Sequence, residues 1–272
     1  MNTNENHRGK TVLITGASSG IGRALAREFA KHQFNIIAVA LYDNALNQIK
    51  NELLSHHRIE VETISIDLTH EGSAAALYHE VKNRGYKVDI LVNDAGIGQR
   101  DYFVEGDWGK YLEIIQLNII ALTKLTHMYA KEMVSRNEGK ILQLGSIAGF
   151  QPGPLMAVYH ASKAFVVSLS EALATEFEDM ESNVTITCLC PGPTETAFFA
   201  KADMLDTNVY QNKEKTMMQP DEVAEGAYQA LMDGERIYIP GAMNKVTTFI
   251  RRAIPKSMQA KMQQKYYETA ES

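Results

Sequence analysis

Cysteine is almost absent from this chain: Cys188 and Cys190 are the only two in 272 residues. They stand two apart in a run that reads as a β-strand, so they share a face and are poorly placed to bridge each other. So little thiol excludes a disulfide framework and points to a reducing compartment. Long apolar runs are missing too. No stretch reaches the ~18 residues that span a bilayer, and Met1–Lys10 is polar rather than an apolar export signal. The expectation is a cytoplasmic protein with a flexible N-terminal tail over residues 1–9. Positive charge is not in excess: 33 acidic against 27 basic residues give −6, which argues against a nucleic-acid surface. The seven prolines gather with Gly or Ser into no linker, no segment is repeated, and no metal site is expected.

What is present is alternation. Thr11-Val-Leu-Ile-Thr is a short apolar run that meets Gly16, and Ile21–Lys31 carries Ile21, Leu25 and Phe29 at helical spacing. Strand-like runs follow at Asn35–Leu41, Val61–Ile66, Val88–Asn93, Lys140–Gly145, Val184–Cys190 and Arg236–Ile239. Helical stretches separate them at Ala45–His56, Glu71–Arg84, Trp108–Arg136, Ala157–Met180 and Asp221–Asp233. Several strands are apolar throughout, as strands buried on both faces must be. The pattern predicts an α/β fold: a Rossmann-like, doubly wound, mostly parallel sheet of about seven strands with helices on both faces. Residues 10–240 form the single domain and residues 241–272 an extension. Ligands in such sheets bind at the carboxyl ends of the strands. Gly16, Asp67, Asn93, Ser146 and Pro191 each stand where a strand ends.

Two stretches carry chemistry. In Gly145–Lys163, Ser146 ends a strand, Pro152, Gly153 and Pro154 interrupt any regular element, and a helix then begins. Tyr159 and Lys163, four apart, share one face of that helix. A cation near a phenol favours its anion and brings the group towards acid–base use. The second stretch, Thr15–Gly22, spaces its glycines Gly-x-x-x-Gly-x-Gly between a strand and a helix. Glycine permits a tight turn, and the free amides of the helix N-terminus attract a pyrophosphate.

Thr15–Gly22, Asp67, Asn93-Asp94-Ala95-Gly96, Asn118, Ser146, Tyr159-x-x-x-Lys163 and Pro191-Gly192, in this order, resemble the short-chain dehydrogenase/reductase family over roughly Lys10–Pro240. The resemblance implies an NAD(P)-dependent oxidoreductase acting on alcohol and carbonyl groups. It assigns Tyr159 to proton transfer and Ser146 to orienting the substrate oxygen. Lys163 would depress the Tyr159 pKa and hold the nicotinamide ribose, and Asn118 would support a water that relays protons to Lys163. It places Gly16, Ser18, Ser19, Gly20, Ile21 and Gly22 around the pyrophosphate side of the cofactor. Asp67 and Leu68 would lie at the adenine, Asn93, Ala95 and Gly96 along the cofactor, and Pro191, Gly192 and Thr194 near the carboxamide. The family's usual Asn-Asn-Ala-Gly has Asp at 94 here, read as a structural nuance.

Cofactor choice stays open, because strand two ends in Leu41-Tyr42-Asp43 with neither the acid that binds a ribose diol nor the base that meets a 2′-phosphate. Thr194–Pro220 matches the family's mobile substrate flap. Phe198, Phe199, Met204, Leu205, Met217 and Met218, with Leu155 and Met156, suit a medium or large apolar substrate or serve as core filler. Beyond Pro240, Lys245, Arg251, Arg252, Lys256, Lys261 and Lys265 alternate with apolar residues at near-helical spacing, broken at Pro255. Such a segment covers the pocket, packs on another subunit, or touches a membrane through residues 245–265; the first two are simpler. The resemblance also implies a homodimer or homotetramer through Trp108–Arg136 and Ala157–Met180. A non-catalytic cofactor-binding scaffold is the alternative, and it predicts damage among Asn118, Ser146, Tyr159 and Lys163, all of which are intact. Epimerisation or dehydration on the same fold is a third reading, for which the C-terminal part is short.

Overall fold

Val12 and Ile14 point to one side of the first strand and Leu13 to the other, and all three are wholly shielded from solvent. A strand apolar on both faces has to be central, and β1 (Thr11–Thr15) is. The protein's computed structural model describes residues 7–270 apart from 213, 215, 216, 252 and 253, so residues 1–6 of the expected tail and Arg252 lie outside the described residues. Seven parallel strands follow the order β3-β2-β1-β4-β5-β6-β7. They are β1, β2 (Asn35–Ala40), β3 (Val61–Ser65), β4 (Ile90–Asn93), β5 (Lys140–Leu144), β6 (Thr185–Leu189) and β7 (Ile237–Tyr238). β1 pairs with β2 on one side and β4 on the other, with Thr15 opposite both Val39 and Asn93. The chain therefore reverses its winding beside β1, and a crevice opens at the carboxyl ends of β1 and β4.

Helices cover both faces. On the Val12 and Ile14 side lie α1 (Gly20–Lys31), α2 (Asp43–His56) and, later in the chain, Pro220–Asp233, meeting the sheet with Leu25, Phe29, Leu46 and Val223. On the Leu13 side lie α3 (Ser73–Asn83) and a long helix that runs α4 (Trp108–Ile115), a π-helical segment Gln116–Ala121, then α5 (Leu122–Ser135). α6 (Ala157–Asp179) completes that layer, with Leu77, Leu125, Tyr129, Met133 and Phe177 packed together. The expected helix Trp108–Arg136 is thus present but holds a π segment around Asn118, of the kind that accumulates at functional sites. The expected strand from Val88 begins only at Ile90; just before it the Asp89 carboxylate accepts the Thr11 amide at 2.9 Å, while the Asp89 amide donates to the Thr11 carbonyl at 2.8 Å.

Thr194–Pro220 is less irregular than expected, with short helices α7 (Phe198–Lys201) and α8 (Asn208–Gln211). After α9 (Pro220–Asp233) and β7 the chain ends in α10 (Ala242–Arg251) and α11 (Lys256–Tyr267), divided at Pro255 as expected. Among the described residues no helix is long and apolar enough to cross a membrane, and no cluster suited to a metal ion occurs.

One polar group is built into the core. Asn93 Nδ2 donates to Thr126 Oγ1 at 3.0 Å and Gln143 Oε1 at 3.1 Å, while Gln143 Nε2 donates to Thr126 Oγ1 at 2.6 Å. Thr126 passes its own proton to the Leu122 carbonyl, so β4, β5 and α5 are tied by one network, although Asn93 Oδ1 is buried without a partner. Gln143→Leu removes one of the two acceptors of Asn93 Nδ2 and one donor to Thr126, and is expected to cost about 1–3 kcal/mol. Calorimetry checks this as a Tm loss of about 2–4 °C per kcal/mol.

Candidate active site

The loop after β1 has no room for side chains. Gly16 has φ +74°, and a Cβ there would lie 2.9 Å from Asp94 Oδ2 and 3.0 Å from the Ala95 amide. At Gly22 a Cβ would meet Asp94 Oδ2 at 2.4 Å and the Gly16 carbonyl at 2.5 Å. Thr15 closes the same seam: its Oγ1 accepts the Asp94 and Ala95 amides, both at 3.1 Å. Ser19 caps α1 without a side-chain hydrogen bond, and the first turn carries no acid. The leading amides of Gly20 and Ile21 therefore face the crevice as open donors, the arrangement that receives a pyrophosphate. These residues fit a dinucleotide.

A cavity of about 760 Å³ runs from this loop along the sheet edge. Of the residues expected at the cofactor, Gly16, Ser18, Ser19, Gly20, Ile21, Leu41, Asp67, Leu68, Ala95, Gly96, Pro191, Gly192 and Thr194 line it. Gly22 and Asn93 do not. Gly22 backs onto Asp94, and Asn93 is spent on the core network, so their part is to shape the wall. Burial works to raise the Asp67 carboxyl, but bonds from the Thr69 hydroxyl and amide and the nearby His70 hold it below the usual range. Where β2 ends, Asp43 opens α2 instead of facing the cavity, and Leu41 and Tyr42 are exposed.

Ser146 and Tyr159 stand together on the cavity wall, and Asn118 and Lys163 lie behind it. Ser146 caps a short turn, Ile147–Phe150, by accepting the Ala148 amide at 3.0 Å. The Lys163 ammonium donates to the Leu144 carbonyl at 2.7 Å and lies 5.8 Å from the centre of the Tyr159 ring. Burial pulls Lys163 down to about 8, against the opposing charge of Asp94. Burial also pushes Tyr159 up to about 12, with the Ser146 hydroxyl pulling weakly the other way. Desolvation therefore dominates at the phenol, which holds its proton. Asn118 is saturated: Nδ2 donates to the Ile97 carbonyl at 2.9 Å and Ser162 Oγ at 3.0 Å, and Oδ1 accepts the Ile97 amide at 3.0 Å. A side chain at Gly96 would press on both heads, 3.3 Å from Asn118 Oδ1 and 3.4 Å from Lys163 Nζ.

Three contributions were beyond the sequence reading. Asp94 is buried between the glycine loop and Lys163; burial pushes its carboxyl up to about 7, opposed by Lys163 and the Gly22 amide. Ser162 donates to the Tyr159 carbonyl at 2.7 Å and supports Asn118. His160 ties the catalytic helix to the chain's end: Nδ1 bonds the Gln151 carbonyl at 2.9 Å and Nε2 the Tyr267 hydroxyl at 2.9 Å. The carbonyl requires a proton on Nδ1, which leaves Nε2 to pair with the Tyr267 hydroxyl. Only Asp94 had a signal, its departure from the usual asparagine. The far end of the cavity is apolar, with Met156, Phe198, Phe199, Met204, Met217 and Tyr266 on its wall. α11 lies at that end, with Gln263, Tyr266 and Tyr267 on the wall.

Comparison with known proteins agrees with this geometry. The model of the family described as short chain dehydrogenase matches residues 10–205. An uncharacterized oxidoreductase of Staphylococcus saprophyticus is 27% identical over 238 residues, 88% of this chain and 96% of that protein. The very-long-chain 3-oxoacyl-CoA reductase of Mus musculus is 32% identical over 176 residues, 62% of this chain and 55% of the relative, so the match spans about half of that relative's length. Among solved structures, a short-chain dehydrogenase from Sphingobium yanoikuyae in complex with NADPH superposes with a TM-score of 0.78 at 31% identity, over 90% of this chain and 94% of that one.

Asp94 yields a pH prediction. Its folded value of about 7 lies above the ordinary carboxylate range, so the folded protein keeps a proton that the unfolded chain releases from ~4 upward. Stability contributed by this group is full below that range and is lost as pH rises towards 7. Asp94→Asn removes the loss. Its Tm is expected to match the wild type near pH 4 and exceed it at pH 7.5, by about 2–4 °C per kcal/mol recovered.

Proposed function

The chain belongs to the short-chain dehydrogenase family, and on that premise we propose that it interconverts a medium or large apolar carbonyl compound and its secondary alcohol, with Tyr159 as general acid and base. One observation carries this reading: the hydroxyls of Ser146 and Tyr159 share a cavity wall whose outer part is methionine and aromatic, with Lys163 buried behind them. The relative named for very-long-chain 3-oxoacyl-CoA supports an extended apolar substrate.

The nicotinamide cofactor supplies or takes up the hydride. The protein's residues do the rest. The amides of Gly20 and Ile21 would hold the pyrophosphate, with Ser18 and Ser19 beside it. Asp67 and Leu68 would meet the adenine, Ala95 and Gly96 the middle of the cofactor, and Pro191, Gly192 and Thr194 the nicotinamide. Ser146 donates to the carbonyl oxygen and orients it. Tyr159, which holds its proton until the reaction, gives it to that oxygen, and the phenolate that develops is stabilised by Ser146 and by the charge on Lys163. Asn118, whose side chain is held by Ile97 and Ser162, would border a proton relay to Lys163.

Cofactor preference rests on no charged side chain at the end of β2; NADPH is favoured by the Sphingobium structure. Trp108, Leu112, Ile120 and Phe165 stand exposed on the helices expected to join subunits, which supports a homodimer or homotetramer there. Two free, buried cysteines suit a cytoplasmic setting.

Fluorescence titration with NADPH and NADH is the first test, and saturable binding of at least one is expected. Tyr159→Phe should then lower turnover of a long-chain ketone by about 10²–10⁴ while leaving cofactor affinity within about twofold. Wild-type rates in that variant would remove Tyr159 from the chemistry. Reduction is expected to decline as pH rises through about 8, where Lys163 gives up its charge.

A further inference from the structure

α10 is turned inside out. A surface helix of a water-soluble domain sends its apolar stripe inward. Here Asn244, Thr247 and Thr248 face the protein and line the mouth of the cavity, and Asn244 Nδ2 donates to the Pro240 carbonyl at 3.0 Å. The opposite face carries Val246, Phe249 and Ile250, recurring at three and four residues, and Met243 stands at the cavity rim; all four are exposed, Met243 to 77% and Phe249 to 73%. Large apolar side chains gathered in one stripe need a partner.

The charge around the stripe says which. Between Pro240 and Glu268 there is no acidic residue, while Lys245, Arg251, Arg252, Lys256, Lys261 and Lys265 are basic, in a chain of net charge −6. Lys245 stands exposed beside the stripe, and Lys256 donates to the Phe150 carbonyl at 3.2 Å, on the same short turn that α10 packs against. A second copy seated face to face would bring two basic segments together, which like charges oppose. An anionic lipid surface answers both features at once, with headgroups for the lysines and acyl chains for the stripe.

We propose that α10 is an interfacial helix that seats the mouth of the cavity on an anionic bilayer surface, so that an apolar molecule can pass between the lipid and the cavity. The seating does not depend on the catalytic reading and is tested without turnover. Full-length protein is floated with vesicles of phosphatidylcholine alone and with about 30% phosphatidylglycerol. Binding is expected to the anionic vesicles only, and to fall severalfold between about 0.05 and 0.5 M salt. The double variant Phe249→Ser/Ile250→Ser, whose side chains lie outside the cavity wall, should lose about tenfold or more of the bound fraction with an unchanged melting temperature. Failure of the wild type to float on anionic vesicles overturns the proposal, as does a double variant that floats equally well. Gel filtration supplies the remaining outcome: a wild-type oligomer that the double variant dissolves would assign the stripe to a second copy instead.

Discussion

Lys163 keeps an ammonium group where almost no water reaches it, and much of the site answers to that constraint. Burying such an ion costs several kcal/mol unless partners replace the water. The Leu144 carbonyl is one partner, at 2.7 Å, and the charge of Asp94 is another. Asp94 in turn accepts the Gly22 amide, so the lysine behind the phenol and the loop that would hold the pyrophosphate are coupled through one carboxylate. A Cβ on Gly16 or Gly22 would strike it.

The sheet makes this coupling possible. β1 and β4 lie side by side although five elements separate them in the chain, and Thr15 opposite Asn93 brings the glycine loop against Asp94. Reversal of winding at that seam leaves the crevice open at its carboxyl end. The π segment in the long helix then aims Asn118 at the backbone of Ile97, which steadies the turn after β4.

At the outer end of the cavity the chain closes on itself. Tyr267 reaches His160, the residue next to Tyr159, and Gln263 accepts a hydrogen bond from Gln151 at 2.7 Å. Position of α6 is thereby linked to α11. α10 sits between these parts with Asn244, Thr247 and Thr248 on the cavity and Val246, Phe249 and Ile250 outward, which leaves apolar side chains exposed beside the entrance.

Local signals in the amino-acid sequence were enough for the architecture and for most of the site. Apolar runs spaced by amphipathic helices specify parallel strands covered on both faces, and residues at strand ends gather at one edge whatever the details of packing. Gly16, Ser146, Tyr159 and Lys163 could be placed for that reason. What the sequence did not reveal depends on distance through space. Desolvation, which holds Tyr159 near 12 against the pull expected from Lys163, is a property of the surrounding protein and of no neighbour in sequence. Asn93 turned to the core because Thr126 and Gln143 meet it there. Amphipathicity of residues 242–251 was plain from spacing, but which side of that helix faces the protein was decided only by tertiary contacts, because a periodic stripe carries no record of what it will be packed against.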